Sequence, residues 1–103
     1  MDRSLLISHP YIKVQRKITD NAQHLIETEE YLTLFYDSVE SGTDYFRLHD
    51  ILDISFKSIT NNSGFLYLHT TRGVFPFHTK SNPQEFIQTY HKLKRMVSPK
   101  STK

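Results

Sequence analysis

Few residues in this chain have the types and spacing that catalysis requires. His49, Asp50 and Asp53 form one compact group of titratable side chains, and a histidine beside a carboxylate could act as a general base. No nucleophilic serine in a supporting context and no glycine-rich phosphate loop accompanies this group. The chain contains no cysteine, which excludes thiol nucleophiles, thiolate metal sites and disulfides. We therefore expect no catalytic residues and no enzymatic activity.

Six histidines raise the question of a metal site. His69 and His78 belong to one predicted hairpin, and the other four are scattered along the chain at His9, His24, His49 and His91. Zinc needs three or four ligands that converge on one point. No carboxylate in the neighbouring sequence completes a set with the hairpin pair. We therefore predict no metal ligands and no cofactor.

Charge is unevenly distributed along the chain, although the formal net charge is only +2. Nine of the eleven acidic residues lie within residues 20–53, where Arg47 is the single opposing cation, and both flanks are basic. In the first flank, Lys13, Arg16 and Lys17 are candidates for contact with an anion. The basic residues near the C-terminus complement the negative end of a predicted helix, and the acidic middle would repel phosphate. We therefore do not expect a nucleic-acid partner.

Alternating apolar and polar residues predict the strands that position these side chains. Residues 11–19 alternate in this way and end at the turn signal Asp20-Asn21, which indicates a first strand. Residues 24–36 fit either two strands joined by a short acidic turn or one long bent strand. The elements expected to follow are a loop at 37–43, a strand at 44–49, a turn at 50–53 and a strand that ends at 60–64.

The strongest local pattern is a β-hairpin over residues 64–78. Apolar residues alternate with aromatic and histidine side chains before Arg72-Gly73, and the alternation resumes after that dipeptide. If Arg72-Gly73 is a two-residue loop, the register pairs Leu68 with Phe77 and Thr70 with Phe75. One face of this hairpin is apolar, so another element must cover it.

The segment after the hairpin predicts one amphipathic helix over residues 83–97. Asn82 is a favourable N-cap, Pro83 suits the first helical position, and Glu85 completes a capping box. The helix ends before Ser98-Pro99. Apolar residues recur at helical spacing along one stripe, which consists of Phe86, Ile87, Tyr90, Leu93 and Val97. This stripe is the expected cover for the hairpin.

Length and composition predict a single small domain over residues 1–98, with a disordered tail at 99–103 and fraying at 1–8. Seven Phe and six Tyr, beside a single alanine, favour a sheet over a helical bundle. The apolar segment near Met1 is too short for a secretory signal, and no apolar run reaches the roughly 18 residues of a membrane-spanning helix. We therefore expect a cytoplasmic protein.

Six or seven strands followed by one helix indicate a mainly β, α+β domain. Its expected form is a strongly bent antiparallel sheet, or open barrel, that the C-terminal helix caps. Three motifs make the pattern more specific: Leu48-His-Asp-Ile51 before a central strand, Leu66-Tyr-Leu-His-Thr-Thr-Arg-Gly73 in the hairpin, and Pro83-Gln-Glu-Phe86 at the helix start. With these motifs, residues 11–95 resemble the bacterial pleckstrin-homology-like (PH-like) domains. The motifs are structural, so the resemblance implies a fold more than a function.

The resemblance and the lack of catalytic groups together predict a non-enzymatic binding module that uses an open sheet edge or the groove beside the helix. A protein or peptide is the expected partner, and self-association as a homodimer is equally compatible. The alternative partner is an anionic membrane surface bound through Lys13, Arg16 and Lys17, because the wider superfold holds phosphoinositide head groups on its first two strands. Candidate partner contacts are the aromatic and histidine residues that the alternation leaves off the core face, namely Tyr31, Tyr36, Tyr45, Tyr67, His69 and His78.

Overall fold

The computed structural model describes residues 5 to 97, in which seven β-strands precede one α-helix. In chain order the elements are β1 (Leu5–Thr19), β2 (Ala22–Phe35), β3 (Ser38–Glu40), β4 (Tyr45–Arg47), β5 (Ile51–Ser58), β6 (Gly64–Thr70), β7 (Gly73–Thr79) and α1 (Gln84–Val97). A 3-10 turn at Leu48–Asp50 leads into β5. The prediction of a mainly β, α+β domain with one C-terminal helix is confirmed, and the strand number is seven.

All seven strands form a single antiparallel sheet in the order β4-β3-β2-β1-β7-β6-β5. The sheet is not closed, because the edge strands β4 and β5 do not pair with each other. Inward-facing residues from both halves of the sheet and from α1 nevertheless contribute to one core, so the sheet bends around it. The buried core consists of Tyr11, Leu32, Leu34, Val39, Phe46, Leu48, Ile51, Ile54, Leu66, Leu68, Phe77, Phe86, Tyr90 and Leu93. This architecture is consistent with a PH-like fold.

The hairpin of β6 and β7 has the predicted alternation but a different register. Leu68 pairs with Phe75 and Leu66 with Phe77, whereas the predicted register paired Leu68 with Phe77 and Thr70 with Phe75. The difference is two residues, so every side chain stays on its predicted face. This is why Leu66, Leu68 and Phe77 are buried as expected.

The register differs because the two-residue loop is Thr71-Arg72 rather than Arg72-Gly73. The Thr70 hydroxyl donates to the Gly73 carbonyl at 2.8 Å and accepts from the Arg72 N–H at 3.0 Å, which fixes the turn one residue earlier. Gly73 pairs with Thr70 at φ 124°, a conformation that favours glycine. A prediction from loop length alone cannot include these bonds of the Thr70 side chain.

Three further boundaries differ from the sequence predictions. Of the two alternatives for residues 24–36, the single strand is the one observed, since β2 runs as far as Phe35. The predicted loop at 37–43 contains the short strand β3, and the predicted turn at 50–53 is wrong, because the 3-10 turn ends at Asp50 and β5 begins at Ile51. Alternation of apolar and polar residues does not predict β3, because this strand has three residues, of which Val39 alone is apolar. The fraying predicted for residues 1–8 is wrong from Leu5 onward, since β1 begins there. Residues 1–4 and the predicted tail at 99–103 lie outside the described residues.

The C-terminal helix begins as the capping residue predicts. The Asn82 side chain accepts a hydrogen bond from the Gln84 N–H at 3.0 Å, and α1 starts at Gln84, one residue later than expected. Within residues 5 to 97, Glu85 makes no side-chain bond back to Asn82, so half of the predicted capping box forms. Phe86, Tyr90 and Leu93 are buried against the sheet, which confirms the apolar stripe as far as Leu93; the Val97 side chain is not among those described.

The first two strands are much longer than the others and project from the body of the domain. Every residue from Val14 to Glu29 is exposed. The molecule measures 59 × 35 × 24 Å, and its radius of gyration is 15.6 Å. A compact domain of this length has a radius of gyration of about 13 Å. The domain is therefore elongated along the β1–β2 hairpin.

Candidate functional site

The edge of the sheet at β5 offers unpaired backbone groups. The Ile54 N–H donates to the Asp53 carboxylate at 2.8 Å, so it points away from β6. Successive residues of a strand direct their N–H and C=O groups to opposite sides. The backbone groups of Phe56 and Ser58 therefore face the same open side as those of Ile54. We call the outward C=O group of Ile54, together with the outward N–H and C=O groups of Phe56 and Ser58, the β5 edge.

Helix α1 fixes the beginning of β5 and leaves the rest of the strand open. The buried Tyr90 hydroxyl donates to the Ile51 carbonyl at 3.2 Å, and the Lys94 ammonium donates to the same carbonyl at 3.0 Å. His91, the residue after Tyr90, has its Nε2 atom 3.3 Å from the Asp53 carboxylate. These three side chains hold α1 against β5 up to Asp53. Among residues 5 to 97, no strand lies beside the β5 edge beyond that point.

A row of aromatic side chains lies on the outer face of the sheet next to the β5 edge. It consists of His78, Phe65, Tyr67 and His69, which we call the aromatic row. Phe65 stacks on His78 with ring centroids 5.1 Å apart and on Tyr67 at 6.3 Å, and Tyr67 lies 6.4 Å from His69. All four are half-buried, so one ring face of the row remains open to a partner.

The aromatic row is tied to β5 by cross-strand pairs. Ser55 pairs with Tyr67, and Lys57 pairs with Phe65. The Ser55 hydroxyl shares a hydrogen bond of 2.8 Å with His69 Nε2. Tyr67, His69 and His78 are predicted partner contacts; Phe65 is not among the predicted contacts, although it has the same parity along β6 as Tyr67 and His69. The site therefore combines an open backbone edge with an adjoining aromatic surface.

The other three candidate partner contacts lie elsewhere. Tyr31, Tyr36 and Tyr45 are exposed, with about half of each side chain accessible. Tyr31 lies on β2 opposite Pro10, Tyr36 follows β2, and Tyr45 lies on the edge strand β4. The structure therefore brings together three of the six predicted contacts and separates these three from the β5 edge.

The candidate anion contacts do not converge on one point. They lie on β1 where it pairs with β2, and strand alternation places Lys13 and Lys17 on one face and Arg16 on the other. Lys13 and Lys17 are four residues apart, which corresponds to about 13 Å along a strand. Their partners across the hairpin are Thr28 and His24. The three cations therefore do not form a cradle around a single phosphate.

The histidine and aspartate side chains form separate pairs rather than one catalytic group. His49 lies 3.4 Å from Asp50, whereas Asp53 pairs with His91 of α1. Across residues 5 to 97 there is no group of three or more histidine, cysteine, aspartate or glutamate side chains that could hold a metal ion. The compact set His49, Asp50 and Asp53 seen in the sequence is thus divided between two exposed contacts.

Two tyrosine hydroxyls have perturbed acidity. Burial raises the pKa of Tyr90 from 10.0 to about 12, and the negative charge of Asp53 adds to this effect. Burial also raises the pKa of Tyr11, against the opposing influence of the Gly42 N–H that donates to its hydroxyl at 3.0 Å. The Tyr11 hydroxyl in turn donates to Glu30 at 3.1 Å. Both hydroxyls act as structural donors inside the domain.

No protein-family model matches this chain, and searches of curated proteins and of solved structures give no match either. Within residues 5 to 97, no helix is long and apolar enough to span a membrane. The functional argument therefore depends on the geometry of the β5 edge and its surroundings.

Proposed function

We propose that this protein is a non-enzymatic, PH-like binding module of the cytoplasm that binds an extended segment of a protein partner at the β5 edge. The segment adds to the sheet as an eighth strand. The observation that carries this proposal is the position of β5 at the end of the sheet, with the N–H and C=O groups of Phe56 and Ser58 directed outward. Extended peptides bind to such edges through main-chain hydrogen bonds.

The surroundings of the edge favour a protein segment as its occupant. Side chains of an added strand alternate between the two faces of the sheet. Those on the outer face lie beside Ser55 and Lys57, next to the aromatic row, and those on the inner face lie beside the half-buried Phe56. Aromatic residues are enriched at protein interfaces because each ring supplies a large, rigid contact area. The main chain thus provides affinity, and the two faces provide selectivity.

The arrangement of charge gives the membrane alternative less support. Lys13 and Lys17 are on the opposite face of the β1–β2 hairpin from Arg16, and Glu27 and Glu29 of β2 lie across from β1 on the face of Arg16. A phosphate head group is held by several donors that converge on it. Next to the β5 edge, by contrast, Asp53 and Lys57 of the same strand have opposite charges, which suits a peptide of no strong net charge.

Replacing Ser58 with proline tests this proposal most simply. Ser58 is exposed and ends β5, and proline is tolerated at edge positions whose N–H faces solvent. The substitution removes one outward N–H and places a ring where the added strand would lie. For a twelve-residue peptide selected from a displayed library on the full chain, we expect Ser58→Pro to raise Kd at least about tenfold in fluorescence anisotropy.

The matched control is Ser58→Ala, which removes the hydroxyl and its 2.7 Å hydrogen bond to the Thr60 carbonyl but keeps the N–H. This variant should bind the selected peptide with nearly native affinity. Equal affinities for native protein, Ser58→Ala and Ser58→Pro would show that the peptide does not add to β5.

A further inference from the structure

The β1–β2 hairpin extends beyond the sheet as a two-stranded ribbon. We call residues 14–27 the arm; in it Val14 pairs with Glu27, and the strands continue to the turn at Asp20-Asn21. Both turn residues have positive φ, 51° and 63°, as a type I′ hairpin turn requires. In the described part of the chain no third strand flanks the arm, because β7 pairs with β1 at Ile12 alone and β3 pairs with β2 at Thr33 and Leu34 alone. Isolated two-stranded ribbons are marginally stable in water.

A proline explains why the arm leaves the sheet. Ile12 pairs with His78, so the antiparallel register brings Val14 opposite Pro76. The register of β6 and β7 directs the backbone of residue 76 toward β1, and proline has no N–H to donate there. The two strands separate at this point, and a cleft of 260 Å³ lined by Val14, Pro76 and their neighbours opens between them. The arm is therefore a feature that the sequence of β7 specifies.

One face of the arm carries an uncovered apolar stripe. Val14, Leu25 and Ile18 share this face, because Leu25 pairs with Arg16, which lies between Val14 and Ile18 on β1. These side chains are 51%, 66% and 72% exposed. The opposite face has a single large apolar residue, Ile26, which is 39% exposed. A ribbon surrounded by water gains no stability from an exposed apolar stripe. The stripe therefore indicates an interface.

We infer that this stripe is a self-association surface, on which the arm of a second copy of the chain packs face to face. On this face Val14 lies opposite Glu27, and Arg16 lies opposite Leu25. Arg16 and Glu27 are therefore on either side of the line that joins Val14 to Leu25, and this arrangement of opposite charges is self-complementary. In a dimer with two-fold symmetry, each contact between two different residues occurs twice, once in each direction. When the two arms cross nearly at right angles, Val14 meets Val14, Leu25 meets Leu25, and each Arg16 faces the Glu27 of the other copy.

Pairing of the same arms edge to edge is disfavoured by charge. Two β1 strands side by side would bring together cations at Lys13, Arg16 and Lys17, and two β2 strands would bring together Glu27 and Glu29. Within one copy, Glu27 also lies 3.4 Å from Lys80. Both of these side chains are exposed, so this ion pair competes only weakly with the contact between Glu27 and Arg16 of the other copy. The arm is about 20 Å long, a small surface for a specific interface, so the dimer should depend on concentration.

Sedimentation equilibrium of the full chain, over a concentration series, tests this inference with two neighbouring residues of the same strand. Leu25→Lys places a charge in the stripe, and we expect it to raise the dimer Kd at least about 30-fold. Ile26→Lys makes a similar change on the opposite face and should leave the Kd nearly unchanged. Neither side chain belongs to the core, so both variants should retain the native circular dichroism spectrum.

A charge exchange provides a second, independent readout. Arg16→Glu should raise the dimer Kd at least about fivefold, because two unlike pairs in the dimer become like pairs. Combining it with Glu27→Arg should restore the native Kd, which a merely structural role of either residue would not do. A monomer at every concentration overturns the inference. A dimer that Leu25→Lys and Ile26→Lys weaken equally, or that Ser58→Pro alone dissociates, also overturns it.

Discussion

Replacing Phe86 with alanine is expected to lower the free energy of unfolding by about 3 to 5 kcal/mol. Phe86 is 1% exposed and lies at the first turn of α1, where the helix meets the core. The substitution removes an aromatic ring and leaves a cavity that the surrounding side chains fill only in part. A domain of this size has a total stability of roughly 5 to 15 kcal/mol, so the change consumes a large part of it. Equilibrium unfolding in urea, followed by circular dichroism, measures the loss.

Phe65→Ala is the matched control for this prediction. It removes the same ring from the outer face of β6, where Phe65 is half-buried in the aromatic row. We expect a loss of about 1 kcal/mol, since this ring is partly solvated already. Losses of equal size for the two variants would contradict the assignment of Phe86 to the core. They would also contradict the placement of α1 as its cover.

The domain should lose stability in alkaline solution through the ionisation of Tyr90. Below pH 10 the hydroxyl is protonated in the folded and the unfolded chain, so its contribution to stability is fully present. Between pH 10 and about 12 the unfolded chain releases this proton while the folded chain retains it, since burial raises the pKa of Tyr90 to about 12. The free energy of unfolding therefore falls with rising pH, by about 2 to 3 kcal/mol over this interval.

Tyr90→Phe isolates this contribution. The variant loses the hydrogen bond of the hydroxyl to the Ile51 carbonyl, but the Lys94 ammonium still donates to that carbonyl, so the cost at neutral pH should be about 1 kcal/mol. Urea unfolding at several pH values compares the two proteins. The raised pKa of Tyr11 gives both of them a similar alkaline slope, and the native protein should have the steeper one. Parallel slopes would mean that Tyr90 is not buried as the structure has it.

The sequence was most informative where local physics decides the structure. Alternation along β6 predicted that Leu66 and Leu68 face the core, and they do so because a strand must bury one face consistently. Asn82 predicted the helix start because it has a side-chain acceptor at the required position. Six or seven strands followed by one helix were predicted from such local patterns, and the structure has seven strands and the helix. These are features that neighbouring residues determine without help from distant ones.

The features that escaped prediction depend on contacts between residues far apart in sequence. The arm leaves the sheet where the register brings Pro76 of β7 opposite Val14 of β1, and no pattern within either strand indicates that they meet. Likewise, alternation along β1 did not reveal which face is buried, and it is Tyr11 that enters the core while Val14 is exposed.

The candidate site was predictable in part for the same reason. Alternation along β6 predicts that Tyr67 and His69 lie off the core. Phe65 occupies an equivalent position in this alternation, so the same pattern also indicates Phe65. The position of β5 at the end of the sheet could not be predicted, because strand order depends on long-range pairing. Without that order, the outward backbone groups of Phe56 and Ser58 could not be recognised as a binding edge.

Amide hydrogen exchange along β5, measured by NMR with and without the selected peptide, tests the proposed binding edge most directly. The Phe56 N–H faces outward and Lys57 donates toward β6, so Phe56 should exchange faster than Lys57 in the free protein. Peptide binding should slow exchange at Phe56 and Ser58 by at least about tenfold, and much less at Lys57. Unchanged exchange at Phe56 and Ser58 in the peptide-saturated protein would contradict strand addition at β5.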